Sequence, residues 1–187
     1  MVEDNILEID KKIIEVKRNV FQTIVYEINT QFNNQSTLNF LNKKTFEENS
    51  MLTTFYEDKN ILDNEDLIEL NNHILKTLDI FIKRILKKTS FYLEASWFQA
   101  YRVNDYHNLH IHGFEEDCYS FIFYIQCGEN SAQTEFYIPG HPYIISPSFS
   151  IEAENSKIVI FPGNVPHEVH LNKDEKRIIL SGNFKVK

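Results

Sequence analysis

The spacing of apolar residues changes character near Thr89. Before it, apolar positions recur with helical period. From Ile13 onward, Val20, Phe21, Ile24, Val25 and Ile28 follow that spacing and predict a first helix. "DNEDLIELNNHILKTLDIFIKRILKK" puts Leu67, Leu70, Ile74, Leu78, Phe81 and Ile85 on one stripe and predicts a second. Its acidic start and basic end (Lys83–Lys88) suit the helix dipole. The polar stretch between them, ending near Asn60, reads as loop with short turns. After Thr89 come "SFYLEASWFQAYRV", "NLHIH", "CYSFIFYIQ", "TEFYIP", "YIISPSFSIEA", "SKIVIFPG", "HEVHLN" and "KRIILSGNFKV". These segments have strand length, are rich in aromatic and β-branched residues, and are separated by Gly, Pro, Asn and Asp. They predict an antiparallel sandwich or jelly roll, mainly β with flanking α, covered by the N-terminal helices. The whole of 1–187 reads as one domain, with a mainly helical part over 1–88 and a β core over 89–187.

Composition sharpens this picture in three places. Fifteen Phe and nine Tyr favour strands and a lined pocket over a helical bundle. A net charge of −8 argues against a nucleic-acid partner, which calls for a basic footprint. Cys118 and Cys127 form neither a disulfide framework nor a zinc pair, so a reducing, cytoplasmic setting is expected. "MVEDNILEIDKK" lacks the basic and apolar regions of a signal peptide, and no apolar run approaches the ~20 residues of a membrane helix.

Six of the seven histidines lie between His107 and His170, which concentrates the candidate chemistry in the β half. His110 and His112 are two apart on a predicted strand, so both imidazoles point to one face and Ile111 to the other. Such a pair can share a metal ion. His167, after "KIVIFPGNVP", opens a later strand that a closed jelly roll brings towards the pair. On the last strand Arg177, Ile179, Ser181 and Asn183 share a face, and a guanidinium inside a barrel mouth calls for an anionic partner such as a carboxylate. His73 on the second helix, His141 in the turn "PGHPY" and His170 near a strand end have no assigned chemistry. Trp97, Phe121, Phe123, Phe136, Phe161 and Cys118 read as core, and Asn183 as support for strand pairing.

The ordered set "SWFQAYRVNDYHNLHIH", "YSFIFYIQ", "TEFYIPG", "KIVIFPGNVPHEV" and "KRIILSGN" resembles the iron(II)/2-oxoglutarate-dependent dioxygenases, in particular a branch related to prolyl 4-hydroxylases. The resemblance runs from about Trp97 to Asn183. It implies a double-stranded β-helix and an Fe(II) ion held on one side by protein ligands, with positions open for 2-oxoglutarate and O2. By position, His110 matches the first metal ligand, His112 the second and His167 the distal one. The wider superfamily has a carboxylate where His112 stands, which leaves Asp117 and Glu115 as alternatives for that ligand. Arg177 matches the residue that grips the distal carboxylate of 2-oxoglutarate. Tyr124 and His107 match further contacts to it.

The resemblance thus implies an oxidoreductase that hydroxylates an unactivated C–H bond, with a small molecule or peptide as substrate. Two alternatives stand beside it. A three-histidine, cupin-like dioxygenase would need no 2-oxoglutarate and would leave Arg177 without a role. A non-enzymatic jelly-roll binding module is the other, since fold does not fix function.

Overall fold

The computed structural model describes residues 24–43, 52–57, 59–138 and 148–187, together with the backbone of two short strands, β1 (Ile6–Ile9) and β2 (Lys12–Glu15), which pair antiparallel. His141 lies outside the described residues, as do Val20, Phe21 and the first part of the predicted strand "YIISPSFSIEA".

All eight strand segments read after Thr89 appear as strands: β5 (Phe91–Tyr101), β6 (His107–His110), β7 (Cys118–Gln126), β8 (Thr134–Tyr137), β9 (Ser148–Ile151), β10 (Lys157–Pro162), β11 (His167–Val169) and β12 (Arg177–Val186). With β3 (Tyr26–Asn29) and β4 (Leu52–Thr53) they form a six-stranded sheet, β3-β10-β7-β12-β5-β4, and a four-stranded sheet, β6-β11-β8-β9. The pairings between these strands are antiparallel. The fold is a jelly roll with helices on one side.

Strand period divides the interior in two. On β7, Phe121, Phe123 and Ile125 join a core with Leu70, Ile74 and Leu78 of α2 (Ile68–Phe81). The alternate residues Ile122 and Tyr124 join a second core with Phe136, Val159, Phe161 and Val169. On β12, Ile178 and Leu180 face the helices while Ile179 faces the second core. A fully buried Phe such as Phe123 contributes about 1.5–3 kcal/mol through removal from water.

The N-terminal part departs from its predicted character. The helix expected to run to Ile28 is instead strand at Tyr26–Asn29, where half-buried Tyr26 and Ile28 alternate with exposed Glu27 and Asn29. Pairing with β10 decides the conformation of a short stretch whose apolar spacing fits either period. The supposed loop holds a helix, α1 (Gln35–Lys43), anchored by buried Thr37, Phe40 and Leu41. So 1–88 is mixed, and its strands β3 and β4 form the two edges of the larger sheet. The second helix is found as read, with Leu67, Leu70, Ile74, Leu78 and Phe81 buried, but Ile85 is 53% exposed. A π-helical turn over Ile82–Leu86 widens the helix there, rotating Ile82 inward in its place.

Candidate metal centre

In the smaller sheet His167, the first residue of β11, stands opposite His110, the last of β6. Strand pairing therefore ends before His112, contrary to the expected run through it. What holds His112 is the carbonyl of Gly163, which accepts from the His112 amide at 2.8 Å and from the Gly113 amide at 3.1 Å. That approach requires glycine: a Cβ at position 163 would sit 2.9 Å from the Cys118 sulfur.

The three imidazoles converge. One nitrogen from each of His110, His112 and His167 lies within 4.8 Å of the others, and the Nε2 atoms of His112 and His167 are 3.3 Å apart. Two ligands at right angles on a single ion, each about 2.1 Å from it, are about 3 Å apart. His167 Nδ1 donates to the Val165 carbonyl at 3.0 Å, and His110 Nδ1 to the Asn108 carbonyl at 2.7 Å. These bonds fix the tautomer and leave each Nε2 lone pair for an ion, the usual second contact of a metal-binding histidine.

Burial keeps the cluster uncharged. It lowers the His112 pKa to about 3, aided by repulsion from His110 and His107, and lowers that of His110. His167, almost wholly enclosed, is pushed well below the ordinary histidine value by burial and by His110 and His112. His107 stacks on His110 with ring centres 4.0 Å apart, and burial brings its pKa to about 4. Neutral imidazoles are the form that binds a divalent first-row ion.

Beyond His107 lies Arg177, which is 0% exposed. Its Nη2 donates to Thr134 Oγ1 at 2.9 Å, and its guanidinium carbon lies 4.7 Å from the Tyr101 ring centre and 5.4 Å from that of Tyr124. Among the described residues its Nε and Nη1 have no acceptor and no carboxylate pairs with it. Burial raises the Tyr101 pKa to about 12 and raises that of Tyr124, while the nearby cation opposes both shifts. An uncompensated buried cation costs several kcal/mol, and two free donors of this kind suit an anion with at least two acceptor oxygens. Tyr124 stands beside Arg177 as its strand parity predicts, with its hydroxyl 2.8 Å from Thr134 Oγ1. Thr134 is a member that sequence reasoning missed, because a threonine on a strand carries no distinguishing signal. His107 Nδ1 is 3.4 Å from Gln99 Nε2 and 3.5 Å from the Tyr101 hydroxyl, which places its ring between the histidine cluster and the arginine pocket.

The remaining candidates separate from the cluster. Glu115 is exposed and ion-paired with Lys185, and Asp117 is exposed, so neither carboxylate replaces His112. Cys118 is buried and a free thiol. His170 is 61% exposed and bonds Glu135, and His73 bonds Thr30 Oγ1 beside α2. Two residues read as structural stand at the site. Trp97 and Asn183 line a cleft of about 620 Å³ that opens onto His107, His110 and His112, with Thr53, Phe55, Tyr56 and Gln99.

No family model matches the chain, and no curated protein matches it in sequence. Solved structures do match it in shape. A Pseudomonas putida prolyl-4-hydroxylase aligns over 89% of this chain and 94% of its own, with TM-score 0.57 and 14% identity. The fold is that of the 2-oxoglutarate–iron(II) oxygenases. A viral collagen prolyl hydroxylase from Paramecium Bursaria Chlorella virus-1, solved with 2-oxoglutarate, covers 87% of this chain and 96% of its own at TM-score 0.60 and 13% identity. HygX from Streptomyces hygroscopicus, solved with nickel and 2-oxoglutarate bound, covers 87% and 83% at TM-score 0.62 and 9% identity.

Proposed function

We propose that the protein is an iron(II)- and 2-oxoglutarate-dependent dioxygenase that hydroxylates an unactivated C–H bond of a small-molecule or peptide substrate. The observation that carries this reading is a neutral three-histidine cluster beside a sealed, unpaired arginine. A metal cluster alone fits many activities. An orphaned guanidinium one imidazole away calls for an anion that reaches both, and a dicarboxylic keto acid does so.

In this reading His110, His112 and His167 hold Fe(II). Bound together, Fe(II) and 2-oxoglutarate supply oxidising chemistry in which O2 inserts one oxygen atom into the substrate C–H bond and the other into succinate, with release of carbon dioxide. The chain's own residues position and shield. Arg177 would hold the distal carboxylate with its two unpaired nitrogens, while Thr134 keeps its Nη2 and the Tyr124 hydroxyl in place. Tyr124 would face the same carboxylate, and His107, stacked on His110 and 3.5 Å from the Tyr101 hydroxyl, would contact the cosubstrate. Fixing the dicarboxylate at both ends sets its orientation before oxygen arrives. With an imidazole as second ligand the protein would bring no negative charge to the ion, and the 2-oxoglutarate dianion would supply the balance. The two free thiols suit a cytoplasmic setting.

Anaerobic titration with iron(II) and 2-oxoglutarate tests the proposal. A metal-to-ligand charge-transfer band in the visible, and succinate release when air is admitted, are expected. Oxygen uptake without succinate would point instead to the 2-oxoglutarate-independent three-histidine chemistry.

A further inference from the structure

Among the described residues, the cleft in front of the histidines carries no Asp, Glu, Lys or Arg in its lining. One wall is aromatic: Phe55 meets Trp97 edge-on at 5.0 Å between ring centres and Tyr56 at 5.2 Å. Trp97 continues that wall to the metal cluster, 5.9 Å from the His112 ring. Phe55 is 49% exposed and Tyr56 84%, although apolar rings of this size gain from cover. Their place is not accidental, because Thr53 and Thr54 tie this segment to Phe98 of β5 by three hydrogen bonds of 3.0–3.3 Å. Asn183 supplies a polar point. Its Oδ1 accepts from Ser120 Oγ at 2.9 Å, which leaves the amide nitrogen as a donor.

From these residues we infer that the substrate presents an uncharged, ring-bearing or otherwise flat apolar group to the metal, stacked on the Phe55–Tyr56–Trp97 wall and accepting a hydrogen bond from Asn183. The inference rests on the oxygenase reading for one of its arguments. With three neutral imidazoles, the ion's two positive charges are balanced by the two negative charges of 2-oxoglutarate, and Arg177 remains as net positive charge. An ammonium or guanidinium entering the cleft meets that excess with no carboxylate in the described lining to pair with. Aromatic faces attract cations, but here the same cation would be drawn towards a positive centre. A substrate carboxylate finds no cation in the described lining to replace its water, and a free amino acid has both problems at once.

Calorimetric titration of the nickel(II)- and 2-oxoglutarate-loaded protein tests this. The probes are N-acetyl-prolinamide and N-acetyl-phenylalaninamide (neutral rings), N-acetyl-lysinamide (cationic) and the N-acetyl amide of glutamate (anionic). At least one neutral ring should bind about tenfold more tightly than either charged probe, the scale of one desolvated group left without its partner. The Phe55→Ala/Tyr56→Ala variant should weaken the neutral probe about five- to tenfold, with 2-oxoglutarate affinity unchanged. A charged probe that binds equally or better, no neutral binding at millimolar concentration, or an unaffected double variant would each overturn the inference. The 2-oxoglutarate titration comes first and separates the two readings. If 2-oxoglutarate fails to bind while the neutral preference persists, the oxygenase reading falls alone. If 2-oxoglutarate binds and the preference is absent, this inference falls alone.

Discussion

The two faces of the six-stranded sheet are built from alternate residues of the same strands, yet they obey opposite rules. Facing the helices, Phe121, Phe123, Ile125, Ile178 and Leu180 meet α2 in an apolar core. Facing the smaller sheet, their neighbours Tyr124 and Arg177, with Gln99 and, opposite them on β8, Thr134, bury polar groups, and Arg177 keeps two nitrogens without acceptors. One face stabilises the fold, and the other gives up part of that stability to hold groups poised for a ligand. Neighbours such as Phe123 and Tyr124 should therefore respond to substitution in opposite ways.

The largest effect is expected on the helix face. Phe123→Ala removes a fully buried ring and should destabilise the protein by about 3–5 kcal/mol in denaturant melts. Arg177→Met should do the reverse on the site face. It replaces an unpaired buried cation by an apolar chain, so stability should rise by about 1–2 kcal/mol. In the same variant 2-oxoglutarate affinity should fall at least ~100-fold, the cost of losing a buried charged partner, while iron affinity measured without 2-oxoglutarate stays the same. A parallel loss of both affinities would show that Arg177 shapes the fold and does not grip a ligand.

Acid should reveal the same asymmetry. In the unfolded chain His107 and His112 take up protons near the ordinary value of 6.5, whereas in the fold they resist down to about 4 and 3. Their contribution is thus fully present above pH 6.5 and is lost as the pH falls from there towards the folded values. His112 alone accounts for a loss on the order of 2 kcal/mol by pH 5. Denaturant midpoints at pH 7.5 and 5 should show this slope in the unmodified protein and in Phe123→Leu alike. His112→Gln should flatten it. The smallest effect belongs to Thr134→Val, which removes the hydroxyl shared by Arg177 and Tyr124. A loss of about 1 kcal/mol in stability and about tenfold in 2-oxoglutarate affinity is expected.

Much of this division is legible in the residues because strands have period two. The parity of Tyr124 against Phe123, and of Arg177 and Ile179 against Ile178, is enough to assign faces. The histidine cluster is also legible, although His112 reaches it past the end of β6 on the Gly163 carbonyl and not as a strand residue. What is not legible depends on distant partners. Tyr26–Asn29 is strand because β10 lies beside it, and Gln35–Lys43 is helix although only Thr37, Phe40 and Leu41 mark a face in a polar stretch. Trp97 and Asn183 look like core and pairing residues on their strands. Only the open end of the jelly roll turns them into cleft walls.

The placement of β3 and β4 at the outer rims of the larger sheet bears on how this architecture can be cut or recombined. A shortened version starting at Phe91 would retain every histidine of the cluster and Arg177. It would also bare one rim of β10, carrying Ile158 and Ile160, and one rim of β5, carrying Phe98. Naked rims of that kind template intermolecular pairing. The half that carries the histidine cluster thus depends on its leading segment as a guard against clumping.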